Sequence, residues 1–407
     1  MKQANHFQTY FVVYSILFAM IFFPPGSTTL LATGSYSIGF LSALIVISAL
    51  LFIKIDSRAK DTNTDAQFAT GLVIIVSIFL HFIVISTGWP VDFTRFSLSL
   101  ALAAGAILLA PRIQSLLFIT HCDIVATAFN ALRYVFVAIF ILSIAGIQPG
   151  LPGLNTVKPA FPFTEPSHAA LVFAPLLIHA CVIKKLYEKI AWLAVTVTIA
   201  IMLQSLTLVL VTLIAALVSL PLWISAVGAL AAFAGSNMLN LAYYSDRLDF
   251  TSDNANLSAL VYRQGWELAY ESLDYSKGLG LGFQQLGSAP IYSYTSDLIY
   301  RILGNDLNMI DGGFTAAKLI AEFGILGIMI VCWFAWNCVK AVVILRNASL
   351  QDTELDTGLI LCCSIICGYS IEMFTRGVGY FSGTTFLVLC SLMYLNSLAK
   401  QRLETVK

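Results

Sequence analysis

The stretch GFTAAKLIAEFGILGIMIVCWFAWNC, residues 313–338, decides the fold of this chain. A helix needs about 20 consecutive, mostly apolar residues to cross a bilayer, and only Lys318 and Glu322 are charged here. Hydrocarbon offers backbone amides no partners, so a segment inside it has to pair its own polar groups as a helix. The stretch therefore predicts a membrane-spanning α-helix.

The rest of the chain repeats this pattern. Of its 407 residues, 58% are hydrophobic and 11% are charged, a composition far from that of soluble domains. Apolar runs predict about twelve spans, of which the seventh and eighth are short and could form one long or broken helix. The spans are residues 8–31, 37–54, 69–88, 95–111, 124–146, 167–183, 190–203, 206–220, 222–238, 313–338, 357–375 and 378–397. We therefore predict an all-α, polytopic membrane protein.

Lysine and arginine indicate the orientation, because cytoplasmic loops carry an excess of both. One side of the predicted bundle holds Lys54, Arg58, Lys60, Arg112, Lys184, Lys185, Lys189, Lys340, Arg346, Lys400, Arg402 and Lys407. The short loops of the other side hold little beyond Arg95, Lys158 and Arg376. Both termini are therefore expected in the cytoplasm, with the loops 147–166 and 239–312 outside.

Three parts follow from this organisation: an N-terminal bundle of nine spans (1–238), a large outer loop (239–312), and the C-terminal spans with a cytoplasmic tail (313–407). The 22 basic and 22 acidic side chains balance, which excludes a strongly basic nucleic-acid surface. The cysteines and histidines show no spacing typical of a metal site. We expect no nucleic-acid partner, no metal and no other cofactor.

The smaller outer loop, 147–166, is rich in proline and glycine and is expected to be irregular. It ends in Thr164-Glu165-Pro166-Ser167-His168, where Pro166 and Ser167 are helix-start signals. Glu165 and His168 should therefore lie together at the outer end of the next span.

The larger outer loop is predicted to contain two short helices. Ser252-Asp253-Asn254 supplies a cap for the first, an amphipathic helix lying against the membrane or the bundle. Aromatic residues follow one another along it at helical spacing, with charged residues on the adjacent stripe: Tyr262, Trp266 and Tyr270, then Arg263, Glu267 and Glu271. The glycines of Gly278-Leu-Gly-Leu-Gly-Phe283 predict close backbone approach and positive φ. The second helix is expected to carry Tyr292, Tyr294, Tyr300 and Arg301.

Three short motifs in this order resemble the O-antigen polymerases (Wzy), relatives of the O-antigen ligases. The first is Glu165-Pro166-Ser167. The second is Arg263-x-x-Trp266 followed by the glycine motif 278–283, and the third runs from Gly312-Gly313 through Ala321-Glu322-Phe-Gly324-Ile-Leu-Gly327. The resemblance covers most of the chain from about residue 150 onward.

The resemblance implies a C-type glycosyltransferase fold in the bacterial inner membrane. It also implies undecaprenyl-diphosphate-linked oligosaccharides as donor and acceptor, and it leaves open a chain-length regulator as a further partner. The ligases usually carry a His-Asn pair ahead of their Glu-x-Gly motif. Here that neighbourhood reads Asp311-Gly-Gly-Phe-Thr, which favours a polymerase and leaves the general base open.

The implied transfer releases a lipid diphosphate, whose charge needs fixed cations or a metal. The outer loops hold no Asp-x-Asp pair, so arginines are expected in a metal-independent reaction. Arg376 and Arg263 are the first candidates, followed by Arg301 and Arg247. Ordinary helix ion pairs are the alternatives: Arg376 with Glu372, and Arg263 with Glu267.

Glu165 is the first candidate for the general base, because desolvation could raise its pKa toward a useful range. Its alternative role is a carboxylate that stabilises a helix dipole. His168 and Asp311 are the next candidates; a packed neutral histidine and a helix N-cap are their alternatives. Tyr262, Trp266 and Tyr270 could stack on sugars or anchor the helix at the interface. Lys318 and Glu322 are expected to pair with each other.

The expected function is polymerisation of lipid-linked O-antigen repeats at the outer membrane face. A ligase would differ in its acceptor, the lipid A core. A flippase or transporter would need charges within the bilayer and discontinuous helices, which few spans suggest. A non-catalytic assembly partner would tolerate alanine at Arg263 and Arg376.

Overall fold

The computed structural model describes residues 2–32, 35–52, 64–147, 149–150, 160–224, 256–305, 307–351 and 356–405, and these form helices joined by turns and loops. The helices are α1 (Lys2–Leu30), α2 (Ser37–Phe52), α3 (Thr64–Ser86), α4 (Phe93–Gln114, continued by a π-helical turn, Ser115–Thr120), α5 (Cys122–Ile144), α6 (Pro166–Ile183), α7 (Leu186–Leu203), α8 (Leu206–Ser219), α9 (Leu257–Tyr275), α10 (Tyr294–Leu303), α11 (Thr315–Gln351), α12 (Thr357–Phe374) and α13 (Gly383–Thr405).

Within the described residues, eight helices are long and apolar enough to cross a membrane: α1, α3, α4, α5, α6, α7, α11 and α12. Three shorter apolar segments, in α2, α8 and α13, accompany them. The prediction of an all-α membrane protein is therefore confirmed. The predicted span 222–238 lies almost entirely outside the described residues, and the total of twelve spans stays a prediction.

The short spans near residue 204 are two separate helices. Gln204 ends α7 in the left-handed conformation, with φ at 53°. Ser205 then begins α8, accepting a hydrogen bond from the Leu208 amide at 3.4 Å. The two helices pack against each other, so the polar pair is the turn of a helical hairpin.

Helices α6 and α12 form the centre of the bundle. They are apolar on all sides, and 83% of α6 and 78% of α12 are buried, against 17% of the apolar part of α3. A helix that is hydrophobic all round has to be covered on every face, and here α5, α8, α11 and α13 pack around the pair. The first residues of α6 come close to the segment that follows α12, which positions the site described below.

Helix α11 is broken at Gly324, where φ is 59° and ψ is −130°. The glycine motif 278–283 fills the break. The amides of Leu281 and Gly282 donate to the carbonyls of Ala321 and Glu322 at 2.9 and 2.8 Å, and the Ile325 amide donates to the Gly278 carbonyl at 2.9 Å. These bonds satisfy backbone groups that the break would leave unpaired.

The close packing of the loop into this break also explains why the motif 278–283 contains glycines. Gly278, Gly280 and Gly282 all have positive φ, as predicted. A Cβ at Gly280 would lie 2.4 Å from the Gly324 nitrogen, so no side chain fits between the loop and the helix.

Helices α9 and α10 form a lobe that packs on α11 through α9. Asn256 caps α9, accepting from the Ser258 amide at 3.0 Å; the predicted cap, 252–254, lies outside the described residues. Glu267 of α9 holds the start of α10, because it accepts from the Ser293 hydroxyl and the Thr295 amide at 3.0 and 2.9 Å. Tyr292 precedes α10 rather than lying on it.

Candidate functional site

A cavity of about 660 Å³ lies where α6 begins and α12 ends. Its wall combines these two helix ends with the start of α8, the start of α9 and the segments 307–308 and 313. Polar side chains in the wall include Glu165, His168, Thr207, Ser258, Asn308 and Arg376. The volume falls within the range of about 300–1,000 Å³ found for ligand pockets.

Arg376 pairs with Glu165 across the cavity wall. Nη2 of Arg376 donates to Oε1 of Glu165, which lies 211 residues earlier in the chain. The Nε atom of Arg376 is buried and has no hydrogen-bond partner among the described residues. The guanidinium therefore lies in the cavity wall and is held there by Glu165.

The helix pair between Arg376 and Glu372 does not form, so that alternative is wrong. Helix α12 ends at Phe374, and Arg376 lies beyond it, out of register for an i, i+4 contact. The buried Glu372 instead accepts from the Ser382 hydroxyl at 2.9 Å and from the Thr384 hydroxyl. Arg376 is thus held by a partner from another helix.

Glu165 occupies the N-cap position of α6 without a side-chain capping bond. Burial raises its pKa, but the neighbouring His168 and Arg376, with hydrogen bonds from Ser167 and Arg376, outweigh burial and hold the pKa below its ordinary value. The charge on Arg376 is permanent, so its effect does not require His168 to be protonated. The expected upward pKa shift of Glu165 is therefore wrong: the side chain is a carboxylate at neutral pH.

His168 joins Glu165 to a pair of hydroxyl groups. Its Nε2 lies 3.3 Å from Oε1 of Glu165. Its Nδ1 lies 3.0 Å from the Thr164 hydroxyl and 3.2 Å from the Tyr36 hydroxyl. A neutral ring that donates from Nε2 to Glu165 and accepts at Nδ1 from one of the two hydroxyls fits this arrangement.

Tyr36 is a site residue that sequence reasoning missed. Burial, followed by the charges of Glu165 and Glu372, raises its pKa, so the phenol keeps its proton and can donate to His168. It precedes α2 and has no local motif around it; only the packing of α2 brings it to the site.

Arg263 does not line the cavity. Its Nε donates to Oε1 of Glu267 at 2.9 Å, and its guanidinium lies 5.9 Å from the centre of the Tyr294 ring. The ion-pair alternative for Arg263 is therefore observed. Burial raises the pKa of Glu267, but hydrogen bonds from Thr295, Ser293 and Arg263 together lower it, so Arg263 and Glu267 jointly fasten α10 to α9.

Asp311 is not a helix cap. Helix α11 begins only at Thr315, and Oδ1 of Asp311 binds the buried Lys318 amine at 2.9 Å. The expected pairing of Lys318 with Glu322 is therefore wrong. Both carboxylate oxygens of Glu322 are buried without a hydrogen-bond partner in the described part of the chain.

The aromatic stripe is divided between two environments. Tyr262 lines the cavity and stacks on Phe314, with ring centres 5.1 Å apart, while Trp266 packs against the same ring at 5.1 Å. Tyr270 is exposed. Arg301, at the end of α10, is also exposed and does not line the cavity, and Arg247 lies outside the described residues.

Among the described side chains, no group of three or more His, Cys, Asp or Glu is placed to hold a metal ion. No family model, curated protein or solved structure matches the chain. Its function is therefore inferred from the geometry of the site and from the motifs described above.

Proposed function

We propose that this chain is an O-antigen polymerase of the bacterial inner membrane. It would transfer a growing glycan from undecaprenyl diphosphate to a sugar hydroxyl on a second lipid-linked repeat unit. The observation that carries the proposal is the contact between Glu165 and Arg376 in the wall of the 660 Å³ cavity. A carboxylate and a permanently charged cation are the two groups that this transfer requires.

In the transfer, the bond between the anomeric carbon of the glycan and the diphosphate oxygen breaks, and its electron pair leaves with the diphosphate. A new bond joins the anomeric carbon to the acceptor oxygen, whose proton passes to a base. Arg376 stabilises the charge that develops on the leaving group through N–H donors directed at phosphate oxygens. The side chain of Arg376 is 29% exposed and lines the cavity, so a bound diphosphate can reach its guanidinium.

Glu165 is the proposed base. A low pKa would make it a poor base for an ordinary hydroxyl. Glycosyl transfer, however, passes through an oxocarbenium-like state, and carboxylates commonly serve as the base in reactions of this kind. Bonding to the electron-poor carbon acidifies the acceptor hydroxyl late in the reaction. His168 and Arg376 orient the carboxylate.

The apolar part of the wall suits substrates that keep their tails in lipid. Leu206 and Leu210 of α8 and Leu257 and Val261 of α9 complete the cavity. Removing a polyprenyl tail from hydrocarbon costs about 0.8 kcal/mol per CH₂. The diphosphate and sugars would therefore enter the cavity while the tails remain between or beside the helices.

One observation favours a second candidate, a lipid-linked oligosaccharide flippase or transporter. Such proteins use discontinuous helices with charged side chains at the break, and α11 is broken at Gly324 next to the buried Lys318 and Glu322. A ligase remains the third candidate, distinguished by its acceptor.

The test is complementation of a strain that lacks the gene, with glycans separated on a gel. Deletion should leave single-repeat caps, whereas bare core would indicate ligation or flipping. Arg376→Ala should lower transfer by the purified protein about 100-fold or more, with EDTA present throughout. Glu165→Gln should reduce turnover more than binding.

Arg301→Ala is the matched control, since Arg301 is exposed and lies outside the cavity lining. It should restore normal ladders at the same membrane abundance. Normal ladders from Arg376→Ala, or transfer that EDTA abolishes, would refute the proposed role of the arginine.

A further inference from the structure

A second hollow, of about 290 Å³, lies on the α9–α10 lobe. Its lining includes Tyr292, Tyr300, Asp297, Ser296 and Met309. The two tyrosine side chains are 66% and 53% exposed, so neither is part of the packed core. The proposed transfer uses none of these residues.

The hollow is built on a fixed frame. Nε2 of Gln264 donates to the Ser296 hydroxyl at 2.9 Å and to the Leu307 carbonyl at 3.1 Å. Glu267 holds the first turn of α10 through Ser293 and Thr295. The backbone that carries Tyr292 and Asp297 is therefore tied to α9 before any ligand binds, which lowers the entropic cost of binding.

The hollow adjoins the proposed reaction cavity. Leu307 and Asn308 line the 660 Å³ cavity, and Met309, the next residue, lines the hollow. One short segment therefore forms a wall of both spaces. A chain-like ligand that fills the cavity could continue over this segment into the hollow.

The lining chemistry fits a sugar better than other ligands. The C–H face of a pyranose can cover a tyrosine ring, which removes apolar surface of both from water. The Asp297 carboxylate can accept hydrogen bonds from sugar hydroxyls. Among the described residues no cation lines the hollow, which disfavours a phosphate, and the Asp297 carboxylate disfavours a lipid tail.

We propose that the hollow is a saccharide subsite that holds the glycan beyond the reacting sugars. The identity of that glycan rests on the proposed function. Binding a remote part of the substrate keeps the chain near the cavity at high effective concentration. The subsite therefore governs how far a chain grows rather than whether the first bond forms.

The experiment measures binding by the purified full chain in detergent, without turnover. The probes are oligosaccharides released by mild acid from the lipid-linked glycans of the strain that encodes the chain. The double variant Tyr292→Ala/Tyr300→Ala should bind them at least 10-fold more weakly than the wild type. Tyr292→Phe should retain most of the affinity, because the ring remains.

Two variants serve as controls. Tyr270→Ala removes an equally exposed ring of the same lobe outside the hollow and should bind like the wild type. Arg376→Ala should still bind the probes although transfer is lost. Equal binding by the wild type and the double variant, or no binding by the wild type, would overturn the subsite.

Chain length supplies the second readout. The double variant should join two repeat units at the wild-type rate but yield shorter ladders. If deletion of the gene left bare core instead of single-repeat caps, the proposed function would fail while the binding result stood. If the double variant bound and elongated normally, only the subsite would fail.

Discussion

At the scale of single residues, the partners of charged side chains depend on where helices end. Arg376 follows Glu372 at a spacing that favours a helix pair, yet α12 stops at Phe374 and Arg376 binds Glu165 instead. Arg263 and Glu267 lie inside one helix, and their local pair forms as the spacing indicates. The i, i+4 spacing thus predicted the ion pair of Arg263 correctly and that of Arg376 wrongly.

The ion pair of Glu165 predicts how the pH profile of transfer responds to a mutation. In the wild type, Arg376 and His168 lower the pKa of Glu165, so the carboxylate is present throughout neutral pH and protonates only below the ordinary value of about 4.3. Arg376→Ala removes two of the contributions that lower this pKa, the charge and the hydrogen bond of Arg376, so the pKa of Glu165 rises relative to the wild type. The acid limb of the residual activity should therefore move to higher pH, and Arg376→Lys should lie between.

The measurement is the single-turnover rate of the purified protein between about pH 4 and 8. The groups facing Glu165 are His168, Arg376, Ser167 and Tyr36, and His168→Gln separates the histidine contribution. An acid limb that disappears in His168→Gln but persists in Glu165→Gln would assign the base role to His168. Identical limbs in wild type and Arg376→Ala would show that the ion pair does not tune Glu165.

At the scale of elements, two of the motifs that support the resemblance meet in space. The glycine motif 278–283 donates and accepts hydrogen bonds at the break in α11, next to Glu322 and Gly324. The loop replaces one turn of helical hydrogen bonds, so loop and helix form a single unit. The contact between the two motifs therefore explains why both contain glycines.

This contact predicts a difference between two glycine substitutions. Gly280 and Gly304 both have positive φ, at 84° and 71°, but only Gly280 has backbone atoms within reach of an added Cβ. Gly304→Ala should cost about 1–2 kcal/mol of unfolding free energy from backbone strain. Gly280→Ala should cost about 1–3 kcal/mol more, because loop and helix have to separate.

Thermal unfolding in detergent tests this prediction, with transfer activity measured in parallel. Gly304→Ala is the control for the conformational cost alone. Equal melting temperatures for the two variants would mean that the loop does not pack into the break of α11.

At the scale of the whole molecule, the packing of α6 against α12 at the centre of the bundle determines which helix ends lie next to each other. The start of α6 and the end of α12 lie at one end of the bundle, with the starts of α8 and α9. Lys189 and Arg346 bind carbonyls at the end of α8, within 217–220. The cavity and this basic cluster therefore lie at opposite ends of α8.

The proposed topology puts these two ends on opposite sides of the membrane. In a cysteine-free background, Tyr270→Cys on the lobe should react with a membrane-impermeant maleimide on intact spheroplasts. Tyr187→Cys, equally exposed at the start of α7, should react only after permeabilisation. The reverse pattern would place the cavity in the cytoplasm and exclude transfer at the periplasmic face.

The sequence by itself determined the helical, membrane-embedded class and the positive φ of the glycine motif, and it offered the pair of Arg263 with Glu267 as one of two alternatives. These depend on hydropathy and backbone geometry within a few residues, so a local pattern contains them. Packing alone decided that Arg376 meets Glu165, that Lys318 meets Asp311, and that Tyr36 reaches His168. The contacts of Arg376 and Tyr36 join segments that are 211 and 132 residues apart, and Lys318 reaches Asp311 across the start of α11. Their energies exist only after these elements have packed, so no local pattern specifies them.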